Sequence, residues 1–225
     1  MSFTAKSSYP PSWYAASATQ LPEQPILQGR IDADICILGA GYTGLSVALE
    51  LAEAGYKVVI LEAERIGWGA SGRNGGQAIA GFGCGEAKLE ALVGFDDARK
   101  MFDLSREGLQ WLRDRIKKHG IECDWRDGHA TVPIKPRQQR EVLAAVEDFN
   151  TRYDYPVEWW DRDKLREQLA SDRYLGALYD PESGHLHPLA YALGLARAAM
   201  DAGVRIFDHP RVTKLLRGAK PVLKT

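Results

Sequence analysis

Apolar residues first fall into a regular pattern at residues 32–38, a short run that ends at a glycine cluster opening with Gly39. Helical spacing follows at once. Leu45, Ala48, Leu49 and Ala52 lie at i, i+3, i+4 and i+7, one face of a helix that Gly55 must stop. The next run, residues 57–61 (KVVIL), is β-branched and apolar at successive positions, the pattern of a parallel strand covered on both faces. Strand, glycine turn, helix and strand within about 30 residues make a βαβ unit, with a right-handed crossover expected.

A glycine-dense loop occupies residues 67–85, and beyond it the period changes to amphipathic helices. Met101, Leu104, Gly108, Leu112 and Ile116 form one stripe, ending at residues 117–120 (KKHG). Val142, Val146, Phe149 and Tyr153 form a second stripe after Pro136. Between the stripes, residues 122–125 and 130–134 read as two strands joined by a turn at Asp127 and Gly128. A helix over 189–202 and strands over 204–207, 212–216 and 221–225 restore the α/β rhythm. Residues 1–29 read as an extended arm, because Pro10, Pro11, Pro22 and Pro25 lack amide donors and disfavour helix. Trp13 and Tyr14 are placed to anchor that arm.

Composition narrows the field. Among 225 residues, 45% are hydrophobic and 26% charged, the balance of a globular chain with enough length to bury a core. A formal net charge of −1 gives no electrostatic reason for a nucleic-acid partner. No apolar run approaches the length of a membrane-spanning helix, and the polar, proline-rich start lacks the apolar centre of a secretory signal. Cys36, Cys84 and Cys123 are odd in number and far apart, which favours a reducing compartment, the cytoplasm, over a disulfide framework.

The candidate chemistry sits in the first βαβ unit. In Gly39-Ala-Gly41-Tyr42-Thr43-Gly44 the first glycine permits a tight turn out of the strand. The second lets main chain approach a diphosphate, and the third lets the helix pack on the sheet. Phosphates then sit where free N–H groups and the positive helix end already point. Glu62, followed by Ala63, ends the second strand 18 residues after Gly44, where a carboxylate accepts hydrogen bonds from ribose hydroxyls and repels a 2′-phosphate. The turn alone does not separate NAD from FAD. The following stretch, residues 67–77 (GWGASGRNGGQ), brings amides together beside Ser71 and Asn74, which suits a loop tracing a long anionic cofactor and donating to a flavin ring. A plain surface loop is the alternative on composition.

The run from Gly39 to Gln77 resembles the N-terminal signature of the D-amino-acid-oxidase-type FAD-dependent oxidoreductases, a family that includes glycine and sarcosine oxidases. The SWYAASA lead-in and the later SGHLHPLAYALGLARAA extend the resemblance from Ser12 to Leu216. It implies an α/β fold: a Rossmann-type FAD-binding domain with an inserted α+β substrate domain, both incomplete at the C-terminus. The parts expected are an arm (1–29), the first part of the FAD-binding domain (30–83), a substrate or cap region (84–180) and the second part of the FAD-binding domain (181–225). It further implies that Gly39, Gly41 and Gly44, flanked by Tyr42 and Thr43, hold the diphosphate. Glu62, with Ala63 beside it, binds the adenosine ribose and Ser71 reaches the phosphates. Asn74, Gly75, Gly76 and Gln77 lie near the isoalloxazine, and Val212 meets adenine through its backbone. The implied activity is oxidation of a C–N bond of a small amine or amino acid. Family members are considerably longer and continue past residue 225, so an N-terminal portion is expected, with a non-catalytic FAD-binding remnant as the other outcome. No catalytic acid or base is assigned.

Other readings are weaker. His185 and His187 suggest a metal pair only without a third ligand, and none lies near in sequence. The cysteines lack CxxC spacing, and Cys84 reads as packed. Arg113, Arg115, Lys117 and Lys118 complement a helix C-terminus. Trp159 and Trp160 read as core or seam before pocket.

Overall fold

The computed structural model describes residues 8–225, which gather into two compact units. The first takes the chain through Gly76, Ile116–Cys123 and His187–Thr225; the second takes Gln77–Arg115 and Asp124–Leu186. In chain order the elements begin with α1 (Trp13–Ser17), β1 (Ile35–Leu38), α2 (Tyr42–Glu53), β2 (Val58–Glu62), a 3-10 turn (Ala70–Gly72) and β3 (Gln77–Ala78). Next come α3 (Glu86–Val93), α4 (Phe95–Lys118), β4 (Arg126–Thr131), α5 (Pro136–Thr151), β5 (Glu158–Trp160) and α6 (Arg162–Arg166). The chain ends with β6 (Ala177–His185), α7 (Pro188–Asp201), β7 (Arg205–Asp208), β8 (Lys214–Leu216) and β9 (Val222–Lys224).

In the first unit a parallel sheet runs in the order β1-β2-β7. The central strand β2 is buried from Val58 to Leu61, as its uninterrupted apolar run requires. Leu45, Ala48 and Leu49 are the buried residues of α2, the face read from spacing, and α2 packs against β2 and α7. Leu45, Leu49 and Ile60 are fully buried, and each such burial contributes about 1.5–3 kcal/mol. Val59, Leu61 and Phe207 form an apolar cluster covered by Leu27, Ile31, Val212 and Leu223. Helix α7 starts at Pro188, with His187 as its cap: Nδ1 accepts from the Ala190 N–H at 3.1 Å. The arm is not extended throughout. Trp13–Ser17 is one helical turn, because the Ser12 hydroxyl accepts from the Ala15 N–H and caps it. The first seven residues of the expected arm lie outside the described residues.

In the second unit β6 is the spine, paired antiparallel with β3, β4 and β5. The two strands expected around Asp127 and Gly128 are one strand, β4, whose register with β6 shifts between Asp127 and His129. Gly128, at φ +93°, makes this irregularity instead of a hairpin turn, and only a residue without Cβ adopts that angle there at little cost. The core is Phe102, Tyr153, Tyr155, Val157 and Leu178, with Val142, Val146 and Phe149 of the second predicted stripe packed on it. The first predicted stripe is displaced by about one position. Helix α4 buries Ala98, Phe102 and Leu109, leaving Leu104 63% and Trp111 65% exposed. Among the described residues no helix is long and apolar enough to cross a membrane.

Candidate functional site

The glycine turn, the acid and the following loop meet at the carboxyl ends of β1 and β2, where open parallel sheets place ligands. Gly39 leaves β1 at φ +96°, and the space where a Cβ would stand is open. A Cβ on Gly44 would lie 2.1 Å from the Gly39 carbonyl oxygen and 3.2 Å from Ile37, so the first turn of α2 rests directly on the strand. Gly41 is the N-cap of α2 and no side chain caps it; a Cβ there would come 2.9 Å from Ser71 Oγ. The Gly41 cap brings no side chain of its own to the helix's amino end, and Thr43 is exposed on its first turn.

Glu62 turns toward this site. Its Oε2 accepts from the Ala40 N–H at 2.7 Å, and its Oε1 accepts from the Glu64 N–H at 2.8 Å. A carboxylate has about four acceptor positions, so room is left for two ribose hydroxyls. Ala63, the next residue, is exposed. Ser71 closes the other side: its Oγ accepts from the Tyr42 N–H at 3.0 Å, which leaves the hydroxyl proton to donate to a phosphate oxygen.

The loop that carries Ser71 is pinned from within. The Gly67 N–H donates to the Ala40 carbonyl at 2.9 Å, tying the loop to the turn. A Cβ on Gly72 would lie 2.3 Å from the Gly67 carbonyl and 3.0 Å from Leu189 of α7. Asn74 Nδ2 donates to the Ala70 and Ser71 carbonyls, both at 3.1 Å, and to the Tyr42 hydroxyl at 3.3 Å, while its Oδ1 accepts from the Gly76 N–H at 2.8 Å. Asn74 therefore positions the loop. Tyr42 donates its hydroxyl to the Pro188 carbonyl at 2.9 Å and packs edge-on against Tyr191. Burial pushes its phenol up to about 12, so it stays a neutral donor.

Gly39, Gly41, Tyr42, Gly44, Glu62, Ser71 and Asn74 are therefore brought together. Gly75 is exposed and Gly76 buried at the end of the same loop. Gln77 opens β3 in the second unit, opposite His185. Val212 lies ahead of β8, its side chain on the Val59–Leu61–Phe207 cluster. Sequence reasoning passed over one group: Asp208, the last residue of β7, pairs in register with Glu62 and is only 2% exposed. The signal was present, since β2 and β7 both end an apolar run with an acid.

The other candidates are spent on structure. His187 Nε2 lies 3.0 Å from Ser17 Oγ, and no group of three or more His, Cys, Asp or Glu with metal-binding geometry occurs among the described residues. Arg113 pairs with Asp127 at 2.9 Å and Lys118 with Glu53 at 2.7 Å. Trp160 stacks on Tyr179 at 4.1 Å. Cys84, expected to be packed, is exposed in the loop before α3.

Comparison with known proteins gives one consistent result. The family described as DAO, FAD dependent oxidoreductase, matches residues 34–225. The probable oxidoreductase OrdL of Haemophilus influenzae is 44% identical over 206 residues, covering 91% of this chain and 48% of that protein. The gamma-glutamylputrescine oxidoreductase of Escherichia coli is 41% identical over 214 residues, covering 95% of this chain and 50% of that protein. Among solved structures, L-amino acid deaminase from Proteus vulgaris matches in fold with a TM-score of 0.70 at 24% identity, covering 88% of this chain and 45% of that one. The chain spans about half the length of the curated relatives it matches.

Proposed function

We infer that this chain, which belongs to the DAO family of FAD dependent oxidoreductases, binds the ADP half of FAD at the glycine turn and serves oxidation of a C–N bond in an amine. The observation that carries the reading is the Glu62 carboxylate folded onto the turn, 2.7 Å from the Ala40 N–H, with acceptor positions to spare. On this reading the amides at the start of α2 and the Ser71 hydroxyl bind the diphosphate, Glu62 takes the ribose hydroxyls, and residues 74–77 run toward the flavin ring. Val212 offers its backbone to adenine. FAD, the family's cofactor, supplies a two-electron acceptor.

γ-Glutamylputrescine is the proposed substrate, which gives the chain a place in polyamine breakdown. Identity of 41% to the Escherichia coli gamma-glutamylputrescine oxidoreductase supports it. The amine's α-carbon gives up a hydride and its nitrogen a proton, forming an imine. Water cleaves the imine to aldehyde and ammonia, and dioxygen, the proposed acceptor, leaves with the electron pair as peroxide. The cytoplasm is the proposed compartment, supported by cysteines that are odd in number and far apart in sequence.

The test is direct. Purified protein reconstituted with FAD should show bound-flavin absorbance and release peroxide and ammonia with γ-glutamylputrescine. Bound flavin with turnover only of sarcosine or glycine would replace the substrate. Bound flavin without turnover of any amine leaves a cofactor-binding unit, and a protein that takes up no FAD overturns the assignment.

A further inference from the structure

The arm is fastened to the first unit at points that bracket the cofactor loop. The Trp68 Nε1–H donates to the Ser8 carbonyl at 3.1 Å, and the Tyr9 hydroxyl donates to the Ile66 carbonyl at 2.7 Å. The Arg65 guanidinium lies over the Tyr9 ring at 4.6 Å. Further along, Tyr14 packs edge-on against His187, and Ala18 and Leu21 are buried. Beyond them the Gln24 N–H donates to Asp208 Oδ2 at 3.2 Å. Residues 65–68, held by the near end of the arm, are the link between Glu62 and Ser71. Asp208, held by its far end, is the cross-strand neighbour of Glu62. Its Oδ1 is buried without a hydrogen-bond partner.

We propose that Asp208 is a positioning residue for the FAD site: through Gln24 it latches the N-terminal arm onto the strand ends, and the latched arm holds residues 62–71 in the shape that grips the adenosine diphosphate. This rests on the cofactor reading above and adds to it a residue that touches no cofactor atom. The physical reason is local. An amide whose buried partner is removed loses a hydrogen bond and keeps its desolvation cost, so the arm segment around Gln24 would leave the sheet. The ties at Ile66, Trp68 and His187 and the burial of Ala18 and Leu21 would then have to hold the arm without it. An uncovered 65–68 segment moves on the timescale of loops, and both acid and hydroxyl move with it.

The experiment uses the full 225-residue chain, titrated with FAD while flavin fluorescence is followed, alongside hydrogen exchange by mass spectrometry over residues 8–27. Asp208→Ala should speed exchange in the arm and weaken FAD binding about tenfold. Asp208→Asn, whose carbonyl still accepts from Gln24, should restore both. Faster exchange with unchanged FAD affinity overturns the proposal, as does an arm that stays protected in Asp208→Ala. Should Asp208→Ala not fold, Tyr9→Phe removes only the hydroxyl tie to Ile66; a looser arm with weaker binding supports the latch, and unchanged binding overturns it. Failure of the unaltered chain to bind FAD overturns the cofactor reading itself, whereas normal binding by it and by Asp208→Ala alike overturns the latch alone.

Discussion

Glycines mark both compact units, but the glycine turn of the first and the aromatic core of the second are held in different ways. A Cβ on Gly44 at the glycine turn, or on Gly72 in the loop after β2, would strike a main-chain carbonyl, at 2.1 and 2.3 Å. In the second unit a Cβ on Gly184 would likewise strike a main-chain carbonyl, that of Arg126 at 2.4 Å, whereas one on Gly128 would come 2.5 Å from the Tyr179 hydroxyl and one on Gly176 2.3 Å from the Trp159 ring. A ring can swing; the Gly39 carbonyl, within the strand-to-helix turn, cannot without moving the turn. The glycine turn is therefore fixed by main chain against main chain. The second unit fixes side-chain packing around Phe102, whose ring meets Tyr153 and Tyr155 edge-on at 5.1 Å.

That contrast can be broken from either side, and the largest effect belongs to the packed side. Phe102→Ala empties the centre of the aromatic cluster and should cost about 3–5 kcal/mol of stability. Urea denaturation measures it, and hydrogen exchange should locate the loss in peptides from α4, α5 and β6. Gly44→Ala should cost about 1–3 kcal/mol by overpacking, with loss of FAD uptake as its distinguishing result. A Gly44→Ala protein that binds FAD normally would show that the turn is softer than its contacts imply.

How much of this was legible in the sequence follows the same division. The turn was readable because its three glycines and Glu62 answer to backbone sterics, which are local and periodic. The buried face of α4 was not. Spacing offered Met101 and Leu104, while packing against Tyr153 and Tyr155, some 50 residues on, selected Phe102. At Asp127 and Gly128 the usual turn signal was outvoted by strand pairing with β6. In the arm the prolines outweighed a cap signal at Ser12 that was there to be read. Asp208 carries the same strand-end signal as Glu62, but its weight comes from the strand pairing that sets the two acids side by side.

A smaller effect sharpens the account of the turn. Glu62→Gln keeps a carbonyl oxygen for one of the two amides now held, Ala40 or Glu64, and loses the charge. Stability should fall by about 1 kcal/mol, and FAD affinity by roughly tenfold, because hydrogen bonds to an ionised acceptor are the stronger ones. Equal FAD affinity in Glu62→Gln, read by fluorescence titration, would remove the ribose role.

The smallest expected effect is one of sign. Burial holds the Asp208 carboxyl above the usual aspartate range; Glu62 adds to the rise, and the Gln24 N–H, His209 and Arg65 oppose it. Its folded form therefore favours the proton: the stability it contributes is full below the ordinary aspartate pKa and is lost as pH rises through the elevated value. Glu90 in the second unit runs the other way. The Arg152 guanidinium at 2.6 Å, aided by the Tyr153 hydroxyl at 2.8 Å, holds its carboxyl below the usual glutamate range. Its contribution is present above the ordinary glutamate pKa and is lost as pH falls through the lowered value. Urea midpoints of the unaltered chain, Asp208→Asn and Glu90→Gln, compared between about pH 4 and pH 8, separate the two. Asp208→Asn should gain on the unaltered chain as pH rises, and Glu90→Gln should lose least at the acid end. Parallel pH profiles for all three proteins would mean that neither carboxyl sets the balance, and that the opposition between a buried acid in one unit and a paired acid in the other has no energetic weight.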